Sequence, residues 1–166
     1  AMKYVYRLGY QMLMVYWFFV RPHTQGVKCL VQSEGKILLV RHTYGTGHWT
    51  LPGGGLKRAE TPEAAARREV REELGITLTD VKKVGEFFSR REFKHDTVHC
   101  FTAMAQGTAI TRDTKEIAVA EWFPIDAPPH PRSEILEHLL AIPNVLSPAK
   151  HSPALTPCEE EAAVQR

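Results

Sequence analysis

Residues 52–76 of the chain read PGGGLKRAETPEAAARREVREELGI, a glycine loop followed by a segment with the composition of a helix. Thr61 offers a capping hydroxyl, and Pro62 suits the first helical position because its missing N–H would be unpaired there anyway. Gly75 is placed to end the helix in the left-handed conformation. The stretch therefore predicts a helix over residues 62–74 with a glycine-rich loop before it.

The predicted helix carries three carboxylates on one edge. At 100° per residue, Glu69, Glu72 and Glu73 fall within an arc of roughly 100°, beside an apolar stripe. Like charges at this spacing destabilise a helix by a few tenths of a kcal/mol each, so the cluster favours a cation opposite it. Mg²⁺ is a natural candidate because it takes oxygen ligands, and the backbone carbonyls of the glycine loop are within reach. The alternative is a solvated acidic face, which is the usual explanation of an isolated E-x-x-E-E helix.

The whole stretch resembles the signature of the Nudix hydrolase family: G, five residues, E, seven residues, then R-E-U-x-E-E-x-G-U, with U aliphatic. Every fixed position is occupied, by Gly54, Glu60, Arg68, Glu69, Val70, Glu72, Glu73, Gly75 and Ile76. Trp49 and Pro52 before the box, and Trp122 after it, are also similar to the family. The resemblance covers roughly residues 26–140.

The resemblance implies an α/β fold, an α/β/α sandwich built on a mixed sheet, with the box forming the loop and helix that hold the metal. It implies a metal-dependent hydrolase that cleaves the pyrophosphate bond of a nucleoside diphosphate linked to another group X, such as a nucleoside triphosphate or a nucleotide sugar. Mg²⁺ is the expected ion, with Mn²⁺ as an alternative. A metal on carboxylates would neutralise the phosphate charge and orient the attacking water.

Within the box, Glu72 and Glu73 are assigned to the metal, with the Gly53 carbonyl as a further ligand by resemblance. Glu69 is either a metal ligand or the general base. Outside the box, Glu116 is a second candidate for both roles, because it lies six residues before Trp122, as in some members that cleave nucleoside triphosphates. Three further fixed positions, Gly54, Glu60 and Arg68, are expected to be structural, with an ion pair between Glu60 and Arg68 fixing the loop against the helix.

Composition excludes several classes of protein. The length of 166 residues suits one domain, and 21 Lys and Arg against 19 Asp and Glu give a formal charge of only +2. No block of like charges indicates long nucleic acid as a partner. The cysteines are odd in number and isolated, at positions 29, 100 and 158, which favours neither a disulfide framework nor a zinc site. A cytoplasmic enzyme with a small-molecule nucleotide substrate is expected.

The first 22 residues form a separate region, before a Nudix domain over residues 23–142 and a mobile tail over 143–166. The uninterrupted apolar run of residues 12–20 is too short to cross a bilayer, so no stable membrane span is expected. An apolar helix that packs on the domain or on a second copy in a homodimer is favoured, because such a segment must be covered. Attachment to a membrane surface is the alternative.

Between these ends, strands are predicted near residues 27–31, 36–41, 81–90, 97–105 and 118–123, the first two as a hairpin, and a helix over 131–142. Substrate-binding residues are not identified by the sequence. Weak candidates are Arg41, Trp49, Phe93 and His95, each with a packing or solvated role as the commoner explanation. A catalytically silent nucleotide-binding module is a further alternative, although the box glutamates are all present.

Overall fold

The computed structural model describes residues 23–89 and 95–146, which build one five-stranded sheet. The strands are β1 (His23–Ser33), β2 (Lys36–His42), β3 (Leu78–Ser89), β4 (His95–Ala105) and β5 (Ile117–Pro124). Their order is β3-β4-β1-β2-β5, with β1 and β4 parallel and every other neighbouring pair antiparallel. The sheet is therefore mixed, as predicted.

Helix α1 (Pro62–Leu74) has the predicted bounds and the predicted ends. The Ala64 N–H donates to the Thr61 hydroxyl at 3.2 Å, and Gly75 adopts φ +70°. The second helix, α2 (Glu134–Leu140), is shorter than predicted. The prediction that it begins at residue 131 was wrong, because residues 131–133 pair with Trp49 as an isolated bridge and Ser133 is the N-cap of the helix.

Two apolar clusters cover the two faces of the sheet. One packs beneath α1 and includes Val70, Leu74 and Phe101; the other packs beneath α2 and includes Leu136, Leu139 and Trp49. The clusters give the predicted α/β/α sandwich, in which a sheet buries both faces against helices.

Strands β1 and β2 pair next to their turn and separate farther along, where the glycine loop lies between them. The two strands pair at Gln32 with Ile37 and at Ser33 with Lys36, next to their turn. Farther along, residues 49–55 run between the strands, with Thr50 bridged to Val40 on one side. The loop before α1 is thus held inside the sheet layer rather than on the surface.

Several predictions fall outside the described residues. They are the N-terminal apolar helix of residues 1–22, with its dimer and membrane-surface alternatives, and most of the predicted tail. Within residues 23–89 and 95–146, no helix has the length and apolar character needed to cross a membrane.

Candidate active site

The glycine loop is fixed by a close approach of two backbones. The N–H groups of Val27 and Cys29 donate to the carbonyls of Gly54 and Pro52, at 2.8 and 3.0 Å. Gly53, at φ +134°, lies so close to β1 that a Cβ atom there would stand 2.2 Å from the Val27 carbonyl oxygen. Any side chain would displace one of the two backbones, so glycine is required at this position.

Glu73 connects this loop to α1. Its carboxylate is buried, with 4% of the residue exposed, and Oε2 accepts a hydrogen bond from the Gly53 N–H at 3.0 Å. Burial raises the pKa of Glu73 to about 7, against the opposing effects of Lys28 and the Gly53 N–H; the nearby carboxylates of Glu69 and Glu116 raise it further. The field around this carboxylate is therefore short of positive charge.

Arg68 holds the other box carboxylates. Its guanidinium forms a bidentate pair with Glu60, both contacts at 2.8 Å, and this hydrogen bond is the largest cause of the depressed pKa of Glu60, about 2. The same group donates to Glu69 at 2.7 Å, to Glu72 at 3.0 Å and to the Gly55 carbonyl at 3.0 Å. The ion pair expected between Glu60 and Arg68 is present, and it reaches the loop and two further glutamates.

Gly54 leaves space for a carboxylate. A Cβ atom at this position would lie 2.8 Å from the carboxylate of Glu69, so a larger residue would move Glu69 or the loop. The absence of a side chain at Gly54 therefore allows the Glu69 carboxylate to lie against the loop, which is the structural role we assign to Gly54.

A cavity of about 420 Å³ gathers the acidic residues. It is lined by Glu69, Glu72 and Glu73 of α1 and by Glu116 from the segment before β5. The backbone supports this approach, since the Thr43 N–H donates to the Glu116 carbonyl at 2.9 Å. Glu116, which was proposed from the sequence, thus faces the box glutamates across one cavity.

Three lining residues were missed by the sequence reasoning, Lys57, Asp113 and Tyr44. Lys57 pairs with Glu72 at 3.6 Å. The Asp113 N–H donates to the Glu73 carbonyl at 2.8 Å, which ties the segment before β5 to the end of α1. The only sequence signal for Asp113 was its position three residues before Glu116. Tyr44 lies in the loop that follows β2.

The donor set suits Mg²⁺ or Mn²⁺. Five carboxylates line the cavity, and hard divalent ions prefer oxygen ligands. In the described part of the chain, no three acidic, histidine or cysteine side chains converge into a preformed metal cage. The carbonyl of Gly53, a predicted ligand, accepts a hydrogen bond from Lys28 Nζ at 3.0 Å.

A second cavity, of about 280 Å³, adjoins the first at Tyr44. It is lined by the loop of residues 44–48 together with His42, Thr50 and Ser133. The rings of His42 and Tyr44 stack at 5.1 Å, and burial lowers the pKa of His42, with the charge of Lys28 acting in the same direction.

The weak substrate-binding candidates have different surroundings. The guanidinium of Arg41 lies 4.3 Å from the centre of the Trp49 ring, and that ring is 6% exposed and packs edge-on against Phe123. Burial favours a packing role for Trp49 over stacking on a base. His95 begins β4, whereas Phe93 lies outside the described residues.

Comparisons with known proteins agree with this geometry. The chain is 32% identical over 100 residues to the NAD-capped RNA hydrolase NudC of Vibrio atlanticus, covering 60% of this chain and 36% of that protein. It is 36% identical over 107 residues to an oxidized purine nucleoside triphosphate hydrolase of Danio rerio, covering 60% and 65%. The chain thus spans about one third to just under two thirds of these relatives.

A solved structure and a family model complete the comparison. The crystal structure of a MutT NUDIX hydrolase from Burkholderia pseudomallei has a TM-score of 0.66 and 25% identity, covering 72% of this chain and 96% of that one. The sequence model of the NUDIX domain matches residues 22–141. On these grounds, and on the complete box, the chain belongs to the Nudix family.

Proposed function

We propose that this chain is a Mg²⁺-dependent pyrophosphohydrolase that acts on a nucleoside diphosphate linked to a group X. The observation that carries the proposal is the acidic cavity, where glutamates from α1 and from the segment before β5 meet across a fixed glycine loop. Two relatives are named as hydrolases of nucleotide-containing compounds, which supports the reaction class. A pyrophosphate group is a polyanion, so an acidic cavity suits it only together with a metal ion.

The glutamates and the arginine of the box have different roles in this proposal. Glu72 and Glu73 would hold the ion, with Glu69 beside them, and Arg68 fixes Glu69 and Glu72 through its guanidinium. The bound ion would supply charge neutralisation at the phosphates and a site for the attacking water. The chain itself would hold these groups in place for an in-line attack, because the loop is hydrogen-bonded to β1 and the Gly53 N–H donates to Glu73 of α1.

Two carboxylates are candidates for the general base. Glu116 lines the wall of the cavity opposite α1, and Glu69 lies on α1 itself with one oxygen bound to Arg68. We assign proton removal from the attacking water to Glu116 and the supporting role to Glu69. Full turnover by a Glu116→Gln variant would transfer the role to Glu69.

We assign the second cavity to the part of the substrate that lies beyond its phosphates. It shares Tyr44 with the acidic cavity, so a molecule with its phosphates on the metal extends toward residues 44–48. A nucleoside triphosphate and a nucleotide sugar both meet this description. One relative is named for capped RNA, which makes the end of an RNA chain a third substrate class to test.

A cytoplasmic location is part of the proposal. Cys29 and Cys100 are buried and free of disulfides, and burial raises the pKa of these thiols to about 12 and about 11. Unreactive, unpaired thiols suit a reducing compartment.

The test is phosphate release, through a coupled phosphatase, across nucleoside triphosphates, nucleotide sugars, ADP-ribose, dinucleotides and capped RNA. Each compound is incubated with Mg²⁺, with Mn²⁺ and with excess chelator. Turnover of one class that chelator abolishes is the expected result. Tight nucleotide binding without turnover on any compound would instead support the silent binding module.

A further inference from the structure

Lys28 completes the attachment of the glycine loop to β1. It lies between Val27 and Cys29, whose N–H groups hold the Gly54 and Pro52 carbonyls. Its Nζ atom donates to the carbonyls that alternate with these two, those of Leu51 at 2.8 Å and Gly53 at 3.0 Å. Three consecutive residues of one strand thus bind four consecutive carbonyls of the loop, and one of those donors carries a positive charge.

The Gly53 residue joins this ammonium group to the acidic cavity. Its carbonyl accepts from Lys28, while its N–H donates to Glu73. Burial lowers the pKa of Lys28, and the charges of Glu73 and Glu69 oppose that effect. Arg68 contacts Glu60, Glu69 and Glu72, and Lys57 pairs with Glu72 at 3.6 Å. Among the described residues, Lys28 is the cation whose charge opposes the raised pKa of Glu73.

We propose that Lys28 is an internal counter-ion, which competes with the divalent metal for the Gly53 carbonyl and for the charge of Glu73. This inference rests on the proposed metal site. Two effects act in the same direction: the ammonium repels an incoming cation, and it occupies an oxygen that a metal would otherwise use. Lys28 therefore keeps the acidic site folded without metal, at the expense of metal affinity.

This role has a signature that a packing role lacks. If Lys28 only packed the loop, its replacement would reduce stability and leave metal binding unchanged or weaker. If it is a counter-ion, replacement leaves the Gly53 carbonyl without its donor and Glu73 without its cation, and both then favour Mn²⁺. The sign of the change in metal affinity decides between the two.

The experiment is a Mn²⁺ titration of the free protein, without nucleotide, followed by electron paramagnetic resonance. Lys28→Met, which keeps an unbranched side chain one atom shorter and removes the charge, should bind Mn²⁺ roughly tenfold more tightly than the parent. Lys36→Met is the matched control, since it removes the same charge from an exposed position at the start of β2, and it should bind within about twofold of the parent. Unchanged or weaker binding by Lys28→Met would overturn the inference.

Two further variants keep the test decisive if Lys28→Met fails to fold. Lys28→Gln retains an amide donor without the charge and should also bind Mn²⁺ more tightly, whereas Lys28→Arg retains the charge and should stay close to the parent. Tighter binding by Lys28→Arg than by Lys28→Gln would contradict the counter-ion role. Absence of Mn²⁺ binding by the parent protein would overturn the proposed metal site itself, which separates the two failures.

Discussion

Two neighbouring loops of this protein are rich in glycine, and they use it for opposite purposes. In the fixed loop, residues 51–54, each carbonyl accepts a hydrogen bond from β1, and Gly53 leaves no space for a Cβ atom. In the open loop, residues 44–48, Gly45 and Gly47 also adopt positive φ, but a Cβ atom at either would meet nothing within 4 Å.

The difference separates two requirements of one site. The fixed loop lies against the carboxylates that would hold a metal, where a shift of an ångström would disturb the reacting geometry. The open loop borders the second cavity, to which we assign the part of the substrate beyond its phosphates. Glycine in the first allows close approach, and in the second it only permits the turn.

The largest effect is expected where the fixed loop meets α1. Glu73→Gln should lower kcat by roughly 10³-fold or more, because it removes a carboxylate from the metal-centred field of the site. Glu63→Gln is the control, since Glu63 lies on the same helix and is exposed, where it pairs with Arg67. A Glu73→Gln enzyme with substantial metal-dependent turnover would remove Glu73 from the metal site.

The two loops should differ next in their tolerance of a methyl group. Gly53→Ala should lower the free energy of unfolding by about 3 kcal/mol or more, since the new Cβ would overlap the Val27 carbonyl. Gly47→Ala should cost only about 1 to 2 kcal/mol, the strain of its positive φ alone. Urea denaturation with circular dichroism measures both. Equal losses would mean that the fixed loop can move away from β1.

The buried carboxylate predicts a dependence of stability on pH. Because the pKa of Glu73 is raised from 4.5 to about 7, the folded protein binds this proton more tightly than the unfolded chain does. In chelator, stability should therefore fall as pH rises from about 4.5 to 7, by up to ~3 kcal/mol from this group.

The measurement is the pH profile of unfolding free energy for the parent and for Glu73→Gln, both in chelator. The difference between the two profiles should change across this window and level off above it. A constant difference would show that Glu73 ionises normally in the folded protein. Saturating Mg²⁺ should reduce the pH dependence of the parent, since a bound cation favours the ionised carboxylate.

Helical periodicity predicted the local part of the site, and the family resemblance supplied Glu116 from a distant segment. Other residues whose approach depends on the sheet were missed. Glu69, Glu72 and Glu73 share an edge of one helix, so helical periodicity was enough to group them. Asp113 and Tyr44 reach the same cavity from segments about 40 and 30 residues from Glu73, and their approach depends on strand order. The predicted start of α2 was wrong for a similar reason, since residue 131 pairs with Trp49, which lies far away in sequence.

Lys28 was also missed, although a signal was present. A lysine within the apolar segment 27–31 of β1 is unusual, because a charged group among buried neighbours needs specific partners. That signal indicates the need for acceptors but does not identify them. The acceptors are carbonyls of a loop more than twenty residues away, which no side-chain pattern encodes.

The smallest effect is expected at the open loop. Tyr44 is 64% exposed, stacks on His42 and borders both cavities, so it is placed to contact the substrate beyond its phosphates. Tyr44→Ala should raise KM about three- to tenfold with little change in kcat, because one stacking contact with the substrate is lost. Phe88→Ala is the control, because Phe88 is a comparably exposed ring, 69%, on β3.

Tyr44→Phe sharpens this last comparison, since it keeps the ring and should keep the parent KM if stacking is the contact. Steady-state kinetics on the substrate found by the panel measures all three variants. A fall in kcat with unchanged KM for Tyr44→Ala would mean that Tyr44 acts on the reacting groups. Tyr44 would then contact the substrate in the transition state and not in the bound ground state. Such a contact requires the open loop, like the fixed loop, to hold one defined position relative to the reacting groups.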